Sequence, residues 1–286
     1  MSEWILYACA SAVLGGLLPS LVKTGVRRAA PAAAAAVYAA VAFLFALGAA
    51  AIAGTLGAVP SLNNGELVRL LAGGLLRALV WLCLFTALST GGVSRVTPIV
   101  NLAPAIAAVL GALLFGGRLG VWRLCCLVLL LLGTVLMESR QQKGKGCRWL
   151  LFSLLALLCA AGHTLAQERL LAGVAASVRT LMESLMAAVL LSLLALAGRS
   201  FQSLKKLRFD EILYLLLSGV ATGLAALCDA AVARFGDTTY LLPIACCAFP
   251  LTLLFARLLH KEKIPASALL GLVFAVAGMF ALLLEL

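Results

Sequence analysis

The chain has 286 residues, of which 64% are hydrophobic and 12% charged, and a mean hydropathy of +1.14. Soluble domains carry about 25% charged residues, so this composition excludes an ordinary globular fold and describes a polytopic protein embedded in the lipid bilayer. A net charge of +11 would suggest a nucleic-acid partner in a soluble protein; here it reports orientation, and no nucleic-acid partner is expected.

Ten apolar stretches follow one another, at 4–22, 31–53, 68–89, 96–115, 121–137, 147–166, 175–197, 212–235, 238–259 and 265–284. Each approaches the ~20 residues that a helix needs to cross ~30 Å of hydrocarbon. They consume most of the chain and leave no soluble domain. The first has only Glu3 before it and lacks the basic flank of a signal peptide, so it is read as the first helix. Nine cysteines, with no C-x-x-C among them, are read as small apolar packing residues.

Basic residues concentrate in alternate connections. The odd-numbered ones hold Lys23, Arg27, Arg28, Arg95, Arg140, Lys143, Lys145, Arg148, Arg199, Lys205, Lys206, Arg208, Lys261 and Lys263, and the remaining connections hold only Arg69, Arg118, Arg123, Arg169 and Arg234. The positive-inside rule makes the odd connections cytoplasmic and both termini external, in the plasma (inner) membrane. The two longest connections, 54–67 and 198–211, occupy equivalent places. The first is nearly uncharged and the second basic, as expected if they lie on opposite faces. The polar tract 138–146 (ESRQQKGKG) joins the two halves as a solvated hinge.

Shifting the numbering by 145 lays the second half on the first without a gap. Trp4 meets Trp149, Gly74 meets Gly219, Gly91 meets Gly236, Pro98-Ile99 meets Pro243-Ile244, and Gly133 meets Gly278. Each half holds five apolar stretches, and two copies of an odd unit in one bilayer must be inverted relative to each other, a construction of secondary transporters. The fold expected is all-α, with ten transmembrane helices in two inverted five-helix repeats, 1–140 and 141–286. Small residues at Ala32–Ala36, Gly15-Gly16 and Gly219-x-x-x-Gly223 mark helix packing seams.

Charges at bilayer depth cost about 2.5–3.5 kcal/mol each on insertion scales, so those retained face a cavity or a partner. Arg77, Arg179, Glu183 and Asp229 are the four that stand out. Arg179 and Glu183, four apart on one helix face, can pair with each other beside a cavity. Arg77 aligns with Thr222 and Asp229 with Leu84, so symmetry builds the scaffold and unrepeated charges make the site. Arg77 lies one turn from Trp81, which can flank a ligand. Asp229 is a candidate to neutralise an arginine, bind a cationic group or accept a coupling proton. His163 is a further proton carrier candidate, with capping or packing as its alternative, while His260 is expected at the surface. Neither histidine joins a cluster of carboxylates or thiolates, so no metal site and no cofactor are expected. Asn101 joins the substrate-binding candidates. Pro98 and Pro104, with Pro243 and Pro250 in the second half, would free backbone carbonyls and allow gating flexure, or else set static kinks.

The halves also end alike. Ser94-Arg95-Val96-Thr97-Pro98-Ile99, followed by Leu113-Leu114-Phe115-Gly116-Gly117-Arg118-Leu119, and Leu242-Pro243-Ile244, followed by Leu258-Leu259-His260-Lys261-Glu262-Lys263-Ile264, resemble the closing signature of EamA-type members of the drug/metabolite transporter superfamily. There an apolar helix runs into a Gly-Glu-Arg/Lys-Leu turn and a short glycine-containing helix. Gly117 replaces the usual acid in the first copy, and Lys261 the usual glycine in the second. Ser177-Val178-Arg179-Thr180-Leu181 likewise resembles the arginine-bearing start of a second repeat helix, where the first copy has Ala34. The resemblance implies two inverted repeats around a central cavity, alternating access, and substrates as varied as amino acids, drugs, nucleosides and sugar phosphates. It also implies cytoplasmic termini, opposite to the charge-based orientation.

These readings converge on a monomeric secondary transporter for a small polar metabolite, driven by protons or by substrate counter-flow. Arg77 and Arg179 would engage a carboxylate or phosphate, and Glu183 or Asp229 an amine or a proton; an amino acid or other zwitterion satisfies both. Burial of both arginines in pairs with no access to a cavity would count against this. A lipid-linked substrate flippase is the alternative within the same fold. An integral membrane lipid-modifying enzyme would need a motif such as H-E-x-x-H or G-x-S-x-G, and ATP hydrolysis a phosphate-binding loop; neither occurs in the sequence.

Overall fold

A computed structural model of the chain describes residues 3–59, 62–115, 125, 128, 129, 132, 148–167, 174–235, 241–262, 269–274, 276 and 277. Its main helices are α1 (Glu3–Gly25), α2 (Pro31–Ile52), α3 (Asn64–Thr90), α4 (Val93–Val100), α5 (Ala103–Phe115), α6 (Arg148–Leu165), α7 (Ala176–Ala197), α8 (Phe209–Phe235) and α9 (Leu241–His260). Six helices among the described residues are long and apolar enough to span a membrane, from α1, α2, α3, α6, α7 and α8. The expected fifth and tenth stretches, 121–137 and 265–284, lie largely outside the described residues. The expected fourth, 96–115, is two helices: α4 stops at Val100, Asn101 forms its C-cap, and α5 begins at Ala103.

The helices are apolar nearly all round, and large side chains such as Leu6, Ile52 and Phe209 remain more than half exposed. Lipid is the solvent that accommodates such surfaces. The buried interior is instead rich in small residues. Ala33, Ala34, Ala35 and Ala36 are closed off by neighbouring helices, which lets α2 sit at the centre against α7, α8 and α3. Helix starts follow local chemistry. Pro31 opens α2, where its missing N–H is harmless. Asn63 and Glu66 form a reciprocal capping box at α3, with bonds of 2.8 and 3.0 Å.

Contacts come in pairs related by the 145-residue shift. α1 packs on α8 as α6 packs on α3, α2 packs on α8 as α7 packs on α3, and α1 packs on α9 as α6 packs on α4 and α5. α2 and α7 pack on each other. The register agrees to the residue: a Cβ on Gly74 would lie 2.5 Å from that of Met186, and one on Gly219 would lie 2.7 Å from that of Val41. At both crossings glycine allows the backbones to touch.

The long connections match too. Gly54 and Arg199 both adopt left-handed backbone, at φ 67° and 50°, and each is followed by a short 3-10 helix, Thr55–Ala58 and Ser200–Lys206. Their neighbours differ. Ser203 Oγ accepts from Ala30 N at 2.9 Å and Glu211 pairs with Arg28 at 3.5 Å, placing 198–211 beside the first connection. Thr55 Oγ1 instead meets Ser177 Oγ at 2.9 Å, which places 54–67 beside the start of α7.

His260 departs from the surface position expected of it. Its ring is partly buried at the end of α9, with Nε2 3.0 Å from the carbonyl oxygen of Ser20. That carbonyl lies just after Pro19 inside α1, and the imidazole donates to it across the α1–α9 contact. Among the described cysteines, Cys9, Cys83, Cys125 and Cys159 are free thiols.

Candidate functional site

Arg77 projects from the middle of α3, on the face that crosses α6 and α7. Its guanidinium carbon lies 5.4 Å from the ring centre of Trp81, one turn further along the same stripe, a cation–π contact. The Trp81 ring is held in turn by Tyr38 of α2, edge-on at 4.9 Å. The polar end of Arg77 reaches across to α7. Nη1 lies 3.4 Å from Glu183 Oε2 and 3.3 Å from Ser184 Oγ.

Glu183 is fully buried. Its Oε2 also meets His163 Nε2 and Gln167 Nε2, both at 3.0 Å, so α6 and the turn just after it contribute two further groups four residues apart. With Nε2 of His163 directed at a carboxylate, that nitrogen carries hydrogen, and the amide of Gln167 serves the carboxylate rather than the ring. Oε1 has no hydrogen-bond partner among the described residues and lies against Gly73, where a Cβ would come within 2.8 Å. Glycine one turn before Arg77 thus makes room for the carboxylate that Arg77 binds.

The expected Arg179–Glu183 pair does not form. Glu183 turns toward α3 and α6, and Arg179 donates from Nη1 to the main-chain oxygen of Gln167 at 3.3 Å. The reason is geometric: Arg77 and His163 come from helices packed on the Glu183 face of α7, and their donors lie nearer to Oε2. The cluster therefore unites Arg77, Trp81, His163, Arg179 and Glu183, all expected from the sequence. It adds Gln167 and Ser184, with Gly73 as the residue that makes space. Gln167 follows His163 by four residues on one face, and this spacing was the available signal. Exposure is low but not zero: the Arg77 side chain keeps 20% of its surface and that of His163 16%.

Other expected residues fall elsewhere. Asp229 lies on α8, but its side chain is outside the described residues, as are those of Pro104 and Pro243. Asn101 closes α4 through its main-chain N–H to Thr97, and no side-chain hydrogen bond joins it to the cluster among the described residues. The prolines divide into two kinds. Pro98 and Pro250 interrupt α4 and α9 from within, whereas Pro104 is the second residue of α5 and Pro243 the third of α9 as described, first-turn positions where a missing N–H breaks no helical bond. Pro98 lines a small gap with Thr97, Thr252 and Leu253, between the two interrupted helices. The Thr97 hydroxyl is buried there without a hydrogen-bond partner among the described residues.

No cluster of three or more metal-ligating side chains exists among the described residues. What the cluster offers is a charge pair at bilayer depth, Arg77 of α3 with Glu183 of α7, joined by His163 of α6, so that three helices and both halves of the chain contribute. Such a pair is stable only while complete, since removing one partner of a buried pair costs about 3–5 kcal/mol.

Comparison with the curated proteins found no match. Among solved structures, one described only as the crystal structure of a protein shares 19% identity, covers 100% of this chain and 98% of its own, and superposes with a TM-score of 0.69; it is similar in fold. The model of the EamA-like transporter family matches twice in tandem, over residues 2–139 and again over 147–284. The chain is therefore a multi-pass membrane protein that belongs to the EamA-like transporter family.

Proposed function

We propose that the protein is a secondary transporter that works by alternating access, and that its substrate is a small zwitterion such as an amino acid, bound where Arg77 now holds Glu183. The observation that carries this reading is the Arg77–Glu183 contact itself, 3.4 Å between groups on α3 and α7, the helices that cross at Gly74 and Met186.

A ligand that enters must part this pair. An anion on Arg77 alone strands the Glu183 carboxylate, and a cation on Glu183 alone strands the guanidinium; either outcome carries the penalty of an uncompensated buried charge. A zwitterion satisfies both, its carboxylate on Arg77 and its ammonium on Glu183. An organic anion becomes equivalent if a proton accompanies it onto Glu183 or His163, so proton coupling and substrate counter-flow are the two driving modes the cluster admits. Arg179 stands one turn away to hold a second anionic group, and Asp229 on α8 is the further acidic candidate. Trp81 would flank the bound ligand. In the Arg77–Glu183 contact each charge occupies the place that a complementary group of the ligand would take.

Alternating access is supported by the exchange of contacts between the halves and by the placing of equivalent connections, 54–67 and 198–211, at different ends. This arrangement suits ten helices in two inverted repeats, 1–140 and 141–286. The end that carries Arg28, Arg199, Lys205 and Lys206 is then cytoplasmic and the termini external, in the plasma (inner) membrane.

Uptake into proteoliposomes tests the reading with a panel of amino acids, organic anions, organic cations and sugar phosphates, with and without an imposed pH gradient. Saturable uptake of zwitterions, lost in Arg77→Gln and in Glu183→Gln, is the expected result. Cation uptake that survives Arg77→Gln would overturn the site assignment.

A further inference from the structure

At one end of the molecule α1, α3 and α9 finish while α4 and α6 begin, and one side chain ties the two halves together there. Glu262 follows α9. The chain leaves the helix through Lys261, whose backbone is left-handed at φ 51°, and the next N–H returns to the Ala256 carbonyl at 3.4 Å. This turn delivers the Glu262 carboxylate to the start of α4. Oε1 accepts from Val93 N and Oε2 from Ser94 N, each at 3.0 Å, and Oε2 also takes the Ser94 hydroxyl.

The N-cap residue of α4 is Gly92 and makes no side-chain cap of its own. A Cβ there would stand 3.1 Å from Glu262 Oε1. The first N–H groups of α4, which no intrahelical carbonyl can satisfy, are thus satisfied by a residue from the opposite half, and the negative charge sits at the positive end of the helix.

Further ties converge on the same end. His260 meets the Ser20 carbonyl of α1, Lys23 Nζ donates to the carbonyls of Leu88 and Gly91 at the end of α3, and Arg95 stacks on Trp149 of α6 at 5.8 Å. In the sequence, the position 145 residues before Glu262 is Gly117, which has no carboxylate to offer.

We propose that Glu262 is the latch of a gate at this end, closed in this structure, and that its release from Val93 and Ser94 accompanies opening to the basic face. This rests on the alternating-access reading. Opening would expose the α4 N–H groups and the carboxylate to water, which solvates both, so the cap can be exchanged without leaving either unsatisfied. Because position 117 is glycine, the first half has no carboxylate at the place that matches Glu262. Glu262 acts by positioning α4 and touches no substrate.

Amide hydrogen exchange on the full-length protein in nanodiscs tests this without knowledge of the substrate. In Glu262→Ala the gate predicts exchange faster by about tenfold or more at three places together: Val93–Arg95, the end of α1 around Leu21–Val26, and the start of α6 around Trp149. A rise confined to Val93–Arg95 would make Glu262 a helix cap only and overturn the proposal. Should Glu262→Ala not fold, Glu262→Gln keeps one acceptor oxygen and predicts the same three-part pattern at smaller amplitude.

As a second measurement, Ser94→Cys with Glu262→Cys in a background free of other cysteines should lose uptake on oxidation and regain it on reduction. Unchanged uptake in the cross-linked form would also overturn the gate. Failure to find any transported solute would strike at the transport reading and leave the exchange pattern to decide the latch.

Discussion

Tyr38 and Thr222, hydrogen-bonded at 2.7 Å, occupy the positions that the 145-residue shift assigns to Glu183 and Arg77. The same crossing of helices is therefore built twice, once with a neutral pair and once with a charged one. In the neutral version the tyrosine hydroxyl and the threonine hydroxyl satisfy each other, and the threonine also bonds Ser218. The scaffold does not need charge at this place, which is why the charge points to function.

Replacing Arg77 alone by Thr is expected to destabilise the protein by about 3–5 kcal/mol, because Glu183 is left buried without its cation. The double variant Arg77→Thr/Glu183→Tyr imports the neutral twin and should recover most of that loss while uptake stays abolished. Thermal unfolding of the purified protein reads the first effect and proteoliposome uptake the second. A double variant no more stable than the single one would mean that the two crossings are not interchangeable.

His163→Gln retains a donor for Glu183 and removes the group able to take up a proton. Folding stability should change little, and uptake should persist with a weaker response to an imposed pH gradient. His163→Ala, with no donor, should lose about 1–3 kcal/mol. Uptake at matched internal pH and varied external pH separates the two variants.

At the glycine crossings, Gly74→Ala brings a Cβ within 2.5 Å of that of Met186 and Gly219→Ala one within 2.7 Å of that of Val41. Each should cost about 1–3 kcal/mol by overpacking. Adding Met186→Gly to the first and Val41→Gly to the second should return part of it, since the opposing Cβ is the atom that clashes. Melting temperatures of the singles and doubles check this, and equal losses would confirm equivalent crossings.

The start of α8 carries half of the capping box found at α3. Glu211 returns to Arg208 N at 3.0 Å, as Glu66 returns to Asn63 N, but the arginine side chain supplies no cap. Arg208→Asn should complete the box and stabilise by about 0.5–1 kcal/mol, and Asn63→Ala should remove about 1 kcal/mol. The exposed Arg208–Asp210 pair at 3.9 Å offers little against this gain.

Lys261 and Arg199 hold left-handed backbone without being glycine, a conformation that costs an ordinary residue about 1 kcal/mol. Lys261→Gly should raise the unfolding temperature modestly and leave the Glu262 contacts in place, and exchange at Val93 and Ser94 would show whether they persist. The resemblance to the family signature already expected glycine at this position, and the positive φ supplies the reason.

Much of this architecture was legible in the residues themselves. Twenty-residue apolar runs, the spacing of Gly74 and Gly219, the alanine run of α2 and the alternation of basic connections each follow from what lipid demands of a chain, and each acts locally or at a fixed period. Arg77, Glu183 and His163 could be singled out because charge at bilayer depth is expensive wherever it occurs. Their partners were not legible in the same way. Helical spacing favoured Arg179 for Glu183, and only the crossing of α3, α6 and α7 brought Arg77, His163 and Gln167 nearer to the same oxygen. Likewise, Glu262 reads as one acid in a basic turn until folding carries it across 169 residues to Val93. Periodicity along one chain determines which faces are buried, whereas the choice among competing donors is made by distances between helices that sequence neighbours do not set.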